Sequence, residues 1–404
     1  MNSKGLQTKN DVSERIYYLD NVRAIAMFLG IVLHASLPYG YTFYDTWFIK
    51  NDSQSITMDV IFTFIHLFRM ALFFLISGFF ANMLVQKRGV LGFTKNRGIR
   101  LLIPFIIFYP IVVTAMTEII HYSGDHLHDL SKLVALITKG GFELPPRTMH
   151  LWFIYHLMAF CIIVILVCRA DFSWISKISS KVFSSSTSLL YLPILIIPGL
   201  YYAGLPQRAP SSFYFEIWSL GYYGLFFLFG WHLFHHSDYL KRITKHIPLM
   251  SVFCLIGFII FYLKMEPLSF EQLLQDLKIG TINFSWDYLI RIIIEAYLSF
   301  YLVMLSLLLG KQFLDSSHKV FRYLSDASYW VYIIHLPVVY FIQVLMGNWK
   351  INLWIEFIIA VSGTMIVSLI TYQIAVRYTI IGTILNGKKT RSAQQHPGKL
   401  AEQN

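Results

Sequence analysis

The chain alternates between long apolar runs and short polar connections. Ten of the runs are long enough to form helices that cross a membrane. Their bounds are about 21–39, 58–84, 101–121, 150–169, 188–205, 214–234, 248–264, 286–310, 324–346 and 352–376. This pattern predicts an all-α polytopic membrane protein in which about ten transmembrane helices form one bundle.

The composition supports a membrane protein over a soluble one. Of the 404 residues, 56% are hydrophobic and only 14% are charged, whereas a soluble domain has about 25% charged residues. The net charge of +11 could indicate nucleic acid, but the basic residues are concentrated in alternate connections. The positive-inside rule explains that distribution, so we expect membrane lipid around the protein and no nucleic-acid partner. No metal-ligand pattern is present, and no metal is predicted.

The basic connections set the expected orientation. They follow the second, fourth, sixth, eighth and tenth runs and contain Lys87, Arg88, Lys95, Arg97, Arg100, Arg169, Lys177, Lys181, Lys241, Arg242, Lys245, Lys311, Lys319, Arg322, Lys388, Lys389 and Arg391. Both termini are therefore expected in the cytoplasm. We divide the chain into a cytoplasmic segment 1–20, a transmembrane domain 21–377 and a basic, disordered cytoplasmic tail 378–404.

Three ionisable residues interrupt the first apolar run, "YLDNVRAIAMFLGIVLHAS". Asp20 and Arg23 are three residues apart, and His34 follows eleven residues after Arg23. All three share one helix face, with Arg23 and His34 separated by roughly 16 Å along the axis. Asp20 and Arg23 would also suit a helix cap and an interfacial anchor. The alternative is functional, because ionisable groups inside a membrane usually face the protein interior.

Further polar residues are expected at the depth of His34. The second run places His66, Arg69 and Ser77 at positions i, i+3 and i+11 of one face. His150, Glu295 and His335 reach a similar depth from the fourth, eighth and ninth runs. We expect these five helices to line one cavity. The alternative is that each histidine is a hydrogen-bonded structural residue.

This set of residues suits group transfer. A neutral imidazole is a good general base near pH 7, and a buried arginine can stabilise an oxyanion. Lys95, Arg97 and Arg100 form a basic stretch suited to a phosphate-bearing donor that enters from the cytoplasm. Positive-inside topology alone also explains this stretch. A transporter is the competing hypothesis, although the broken helices and repeats typical of one are not seen.

Several segments together resemble the acyltransferase-3 family of integral membrane O-acyltransferases. They are "RIYYLDNVRAIAMFLGIVLH", "FRMALFFLISGFF", "FTKNRGIRLLIPF", "MHLWFIYHL" and "ASYWVYIIHLPV", in this order between about residues 15 and 377. "FIHLFRM" and "HLWF" resemble most the branch implicated in adding succinyl groups to periplasmic glucans. Leu336 departs from that branch, because a second histidine is expected after His335.

The resemblance implies a bacterial inner-membrane enzyme with no bound cofactor, which uses acyl-CoA as co-substrate. It would move an acyl group, with succinyl favoured, from cytoplasmic acyl-CoA to a hydroxyl of a periplasmic glucan. His34 is the expected base. The expected catalytic set is His34, Arg23, Asp20, Arg69 and His66, the donor-binding set is Arg97, Arg100, Lys95 and Ser77, and the acceptor or cavity set is His150, Trp152, Glu295 and His335. Acetylation of O-antigen or exopolysaccharide is the alternative within the family, and a homo-oligomer is compatible with the sequence.

Overall fold

The computed structural model is a bundle of helices. It describes residues 16–42, 44, 47–140, 146–168, 173–204, 209–265, 270, 285–349 and 351–387. The principal helices are α1 (Tyr17–Ser36), α2 (Ile56–Arg97), α3 (Ile103–His126), α4 (Lys132–Thr138), α5 (Trp152–Val167), α6 (Ser173–Ser184), α7 (Ser188–Ala203), α8 (Ile217–Leu233), α9 (Asp238–Ile243), α10 (Ile247–Leu263), α11 (Trp286–Phe313), α12 (Lys319–Met346), α13 (Leu353–Thr371) and α14 (Ile380–Asn386). The prediction of an all-helical protein is confirmed for these residues.

Seven helical stretches in the described residues are long and apolar enough to cross a membrane. They are Tyr17–Tyr39, Ile56–His126, Met149–Val167, Asp238–Leu263, Trp286–Phe313, Lys319–Met346 and Leu353–Val376. The stretch Ile56–His126 contains two of the ten predicted spans, and the shorter α7 and α8 coincide with two more. A polytopic membrane protein is supported, and the count of ten crossings with cytoplasmic termini stays a prediction.

The long stretch Ile56–His126 is interrupted between its two predicted spans. Gly89 has φ 66° and ψ 174°, which is a backbone conformation that glycine adopts without steric cost. A π-helical turn, Gly98–Leu102, then leads into α3. This break falls in the basic connection and allows the chain to turn there, so that α3 can pack against α12.

The ends of the chain differ in part from the predicted domain limits. α1 begins at Tyr17, inside the predicted cytoplasmic segment 1–20. Within the predicted tail 378–404, residues Ile380–Asn386 form the helix α14. Arg100 Nη2 donates to the carbonyl oxygen of Asn386 at 3.0 Å, which holds this helix against the start of α3. The remainder of the tail, from residue 388, lies outside the described residues.

α2 packs closely against α8 along much of its length. A Cβ added at Gly230 would lie 1.8 Å from the carbonyl oxygen of Leu75, and one at Gly78 would lie 1.9 Å from that of Phe227. Small residues of this kind allow the backbones of two membrane helices to approach. Asn82 Nδ2 also donates to the carbonyl oxygen of Trp231 at 2.8 Å. α2 and α8 therefore form a closely packed pair.

Gly230→Ala is expected to destabilise the protein by about 1–3 kcal/mol, because the new methyl group would overlap backbone atoms of α2 that cannot move independently. Thermal unfolding of the detergent-solubilised protein measures the effect. Gly221→Ala on the same helix is the control, since a Cβ there has no neighbouring atom within 4 Å. Equal melting temperatures for the two variants would contradict the close packing of α2 on α8.

The connection between α1 and α2 is fixed by a buried carboxylate. Asp59, on the first turn of α2, accepts hydrogen bonds from the backbone nitrogens of Tyr41 at 2.7 Å and Thr42 at 3.0 Å. The backbone nitrogen of Ser55 donates to the carbonyl oxygen of Tyr39 at 2.8 Å. These bonds hold the connection over the end of α1, where it places Trp47 next to the last turn of that helix.

Candidate active site

His34 lies between two rings that come from other parts of the chain. The Trp47 ring stacks on it with centroids 6.0 Å apart and an interplanar angle of 17°. The His335 ring of α12 lies 5.3 Å away and is tilted by 45°. His34 Nδ1 is buried and has no hydrogen-bond partner among the described residues. The imidazole is therefore held in place by its ring contacts while one nitrogen is available.

A second histidine contact extends this arrangement into a row. The rings of His335 and His150 lie 5.1 Å apart and are nearly perpendicular, at 87°. His335 Nδ1 lies 2.8 Å from the carbonyl oxygen of Tyr332, and His150 Nε2 lies 3.0 Å from that of Ile333. A carbonyl only accepts hydrogen bonds, so these two nitrogens carry the protons. In the neutral rings His335 Nε2 and His150 Nδ1 are then the acceptors.

A proline explains why the carbonyl of Ile333 is available to His150. Pro337 lies inside α12 and has no N–H, so the carbonyl four residues earlier lacks its usual helical donor. That carbonyl belongs to Ile333, and His150 Nε2 occupies it. The Tyr332 hydroxyl also donates to the carbonyl oxygen of His150. The helix defect and the adjacent tyrosine thus fix His150 in position from the side of α12.

Arg69 approaches the histidine row from α2. A Cβ added at Gly30 of α1 would lie 1.9 Å from Arg69 Nη1, so a larger residue there would displace this guanidinium. His34 interacts electrostatically with Arg69, His335, His150 and His66. In the described part of the chain Arg69 Nε has no hydrogen-bond partner, and no carboxylate forms an ion pair with Arg69. An uncompensated cation inside the bundle favours an anionic ligand.

A second group of arginines lies toward the other end of α1. Arg23 Nη2 is 3.2 Å from Asp20 Oδ1 and 3.3 Å from the Ser325 hydroxyl. Arg97 and Arg100, at the end of α2 and in the π-helical turn, interact electrostatically with Arg23. In the part of the chain that the structure describes, Arg97 Nε has no hydrogen-bond partner. These three guanidiniums concentrate positive charge near Arg23, which lies about three helical turns from His34, and such a group is chemically suited to an anionic ligand.

The remaining predicted residues occupy different environments. Lys95 is exposed, and Ser77 is half-buried on α2. Trp152 is buried, and its ring lies 5.1 Å from that of Tyr223 and 6.0 Å from that of Phe74. This tryptophan therefore packs in the aromatic core beside the histidine row. His66 and Glu295 line a separate small cavity.

Two residues that the sequence interpretation did not select are part of this site. Trp47 lies in a polar connection, where a tryptophan usually indicates an interfacial anchor, and only the loop geometry brings it onto His34. Tyr332 precedes His335 by three residues and shares its helix face. Helical spacing could have identified Tyr332, whereas no signal in the sequence identifies Trp47.

The residues of this site lie within a region that matches a known protein family. The sequence profile described as an acyltransferase domain, of the acyltransferase-3 family, matches residues 16–373. The chain belongs to the acyltransferase-3 family. It is therefore a membrane acyltransferase, and the resemblance seen in the sequence is confirmed. The matched range includes His34, Arg69 and the three arginines at the other end of α1.

The similarity also extends to individual proteins over nearly their full length. Proteins named "Glucans biosynthesis protein C" from Salmonella paratyphi B and Salmonella dublin are each 26% identical to this chain over 386 residues. The match covers 93% of this chain and 95% of each relative. No solved structure matches the chain.

Pro337→Ala is expected to lower turnover about tenfold while keeping or raising the melting temperature. Alanine restores the N–H that bonds the Ile333 carbonyl, so His150 loses its acceptor even though α12 gains a hydrogen bond. Acyl transfer and thermal unfolding of the same preparations measure the two effects. Pro110→Ala in the middle of α3 is the control. Unchanged turnover in Pro337→Ala would argue against positioning of His150 by the helix defect.

Proposed function

We propose that this protein transfers an acyl group from acyl-CoA on the cytoplasmic side of a bacterial inner membrane to a hydroxyl of a periplasmic glycan. The proposal depends on the row formed by His34, His335 and His150. Each of these rings has a buried nitrogen without a hydrogen-bond partner among the described residues, and the unpaired Arg69 lies beside the row. Bases and a cation at one point suit attack of a hydroxyl on a thioester.

The reaction balances with the residues that are present. His34 accepts the proton of the acceptor hydroxyl as its oxygen attacks the thioester carbonyl. The carbon–oxygen bond forms, the carbon–sulfur bond breaks, and the CoA thiolate leaves and receives the proton. Arg69 stabilises the negative charge that develops on the carbonyl oxygen. An acyl-imidazole intermediate on His34 is the alternative route, and an acylated protein isolated after acid quench would distinguish it from direct transfer.

The two arginine regions suit the two ends of the donor. Arg23, Arg97 and Arg100 would bind the phosphates of acyl-CoA, because a guanidinium pairs with phosphate oxygens through two donors. His34 lies eleven residues after Arg23 on α1, roughly 16 Å along the axis. The pantetheine arm of an acyl-CoA is long enough to extend over that distance. Trp47 would then close the opposite, periplasmic side of His34.

The acyl group and the acceptor are the finer part of the proposal. We favour succinyl, because the free carboxylate of a succinyl group is an anion that the unpaired Arg69 can bind. We favour a glucan as acceptor because of the names of the Salmonella relatives. Acetylation of another glycan is the alternative. An acetyl group has no carboxylate, so Arg69 would then stabilise only the oxyanion that develops during transfer.

His34→Ala is expected to lower acyl transfer about 100-fold or more, because it removes the general base. The measurement is CoA release by purified protein with succinyl-CoA or acetyl-CoA and a glucan oligosaccharide, with mass spectrometry of the product. His156→Gln is the control. His156 is a buried histidine outside the row, which bonds the Trp152 carbonyl and the Ser219 hydroxyl.

The outcome that would contradict the base assignment is wild-type turnover in His34→Ala at equal amounts of folded protein. Solute flux into proteoliposomes without any CoA release by the unmodified protein would instead favour a transporter. Activity of His156→Gln per folded molecule should stay within about threefold of the wild-type value, since this histidine contacts neither the row nor Arg69.

Arg69→Gln tests the acyl group. If Arg69 binds the succinyl carboxylate, the variant should lose more activity with succinyl-CoA than with acetyl-CoA, by about tenfold or more, because a hydrogen bond between two charged groups is lost. The ratio of kcat/KM for the two donors is the measurement. An equal loss with both donors would restrict Arg69 to the oxyanion and remove the preference for succinyl.

A further inference from the structure

A small cavity lies between α2, α10 and α11. Its lining includes Phe62 and His66 of α2, Phe261 of α10, Met265 just beyond α10 and Glu295 of α11. The His66 ring stacks on Phe62 with centroids 5.1 Å apart. The cavity has room for about one water-sized group. Its walls are therefore mainly apolar, with a carboxyl group among them.

Glu295 is the unusual member of this lining. The residue is only 2% exposed, and its Oε2 has no hydrogen-bond partner in the described residues. Glu356 is equally buried and also has one oxygen without a partner, but its Oε2 accepts a hydrogen bond from Asn51 Nδ2 at 2.8 Å, whereas Glu295 has no hydrogen bond among the described residues. A buried polar group without a partner costs free energy unless a ligand supplies the missing hydrogen bond. The cavity therefore suits a ligand group that donates to a carboxyl oxygen.

The cavity adjoins the proposed reaction point. His66 lines it and also interacts electrostatically with His34. Arg69 follows His66 by three residues on the same face of α2. Tyr223 interacts electrostatically with both Glu295 and Arg69. A molecule bound at His34 and Arg69 could therefore extend a neighbouring group toward Glu295.

We propose that this cavity is a subsite for one hydroxyl of the acceptor sugar, distinct from the hydroxyl that is acylated. The inference rests on the proposed function. A hydroxyl hydrogen-bonds a carboxyl group and fits the space of one water molecule, whereas a carboxylate or a phosphate is too large for this cavity. Glu295 is then a positioning residue that orients the sugar, while His34 remains the base.

The test compares Glu295→Gln and Glu295→Met with the control Glu356→Gln, using a gluco-oligosaccharide and its monodeoxy derivatives as acceptors. Glu295→Met should raise the acceptor KM about tenfold, with kcat and the KM for acyl-CoA within about threefold of wild type. Glu295→Gln keeps an acceptor oxygen and should show a smaller increase. Removing one specific hydroxyl should raise the KM of the wild-type protein about tenfold and that of Glu295→Met less than threefold.

Each other outcome overturns the subsite. If the KM values for the monodeoxy acceptors follow the same order in Glu295→Met as in the wild-type protein, the cavity holds only a structural water. A loss of kcat or of acyl-CoA binding without a change in acceptor KM would make Glu295 part of the fold or of the donor site. If the wild-type protein transfers no acyl group, the acyltransfer proposal itself is wrong. If the wild-type protein is active and Glu295→Met is equally active with the same acceptor KM, only the subsite is wrong.

Discussion

Polar groups inside an apolar bundle must find partners, and the rest of this structure follows from that constraint. Asn82 donates to the Trp231 carbonyl and Glu356 accepts from Asn51. Buried atoms without partners occur on several of the described helices, and three of the residues concerned lie where α1, α2 and α12 meet. There His34, Arg69 and His335 each have an unpartnered buried nitrogen. Each of the three proposed reacting side chains therefore keeps one nitrogen that a substrate can contact.

α2 connects the parts of this arrangement. Its packing on α8 through Gly78 and Gly230 leaves little freedom for the helix to shift. Arg69 projects from it toward Gly30, and Arg97 lies at the end of α2 beyond the break at Gly89. Arg23 lies on α1 and Arg100 in the π-helical turn, so α1 and α2 together relate these arginines to the histidine row.

Family membership and geometry support different parts of the function. The acyltransferase domain covers residues 16–373 and establishes the class of reaction. The 26% identity to the Salmonella proteins leaves the acyl group and the acceptor as proposals. Unpartnered polar side chains bear on those two proposals, because Arg69 would favour an anionic acyl group and the buried Glu295 carboxyl would favour a hydroxyl of the acceptor. The two side chains divide the proposed site into an acyl region and a sugar region.

The long helices and the candidate chemistry could be predicted from the sequence, because apolar length and helical spacing are local properties. Asp20 with Arg23, and the histidine and arginine residues of the first two runs, were identifiable in this way. The folded bundle was needed to show that Trp47 covers His34, that His150 bonds the carbonyl freed by Pro337, and that Trp152 packs in the aromatic core. These contacts join residues far apart in the chain, and no periodicity within one helix encodes them.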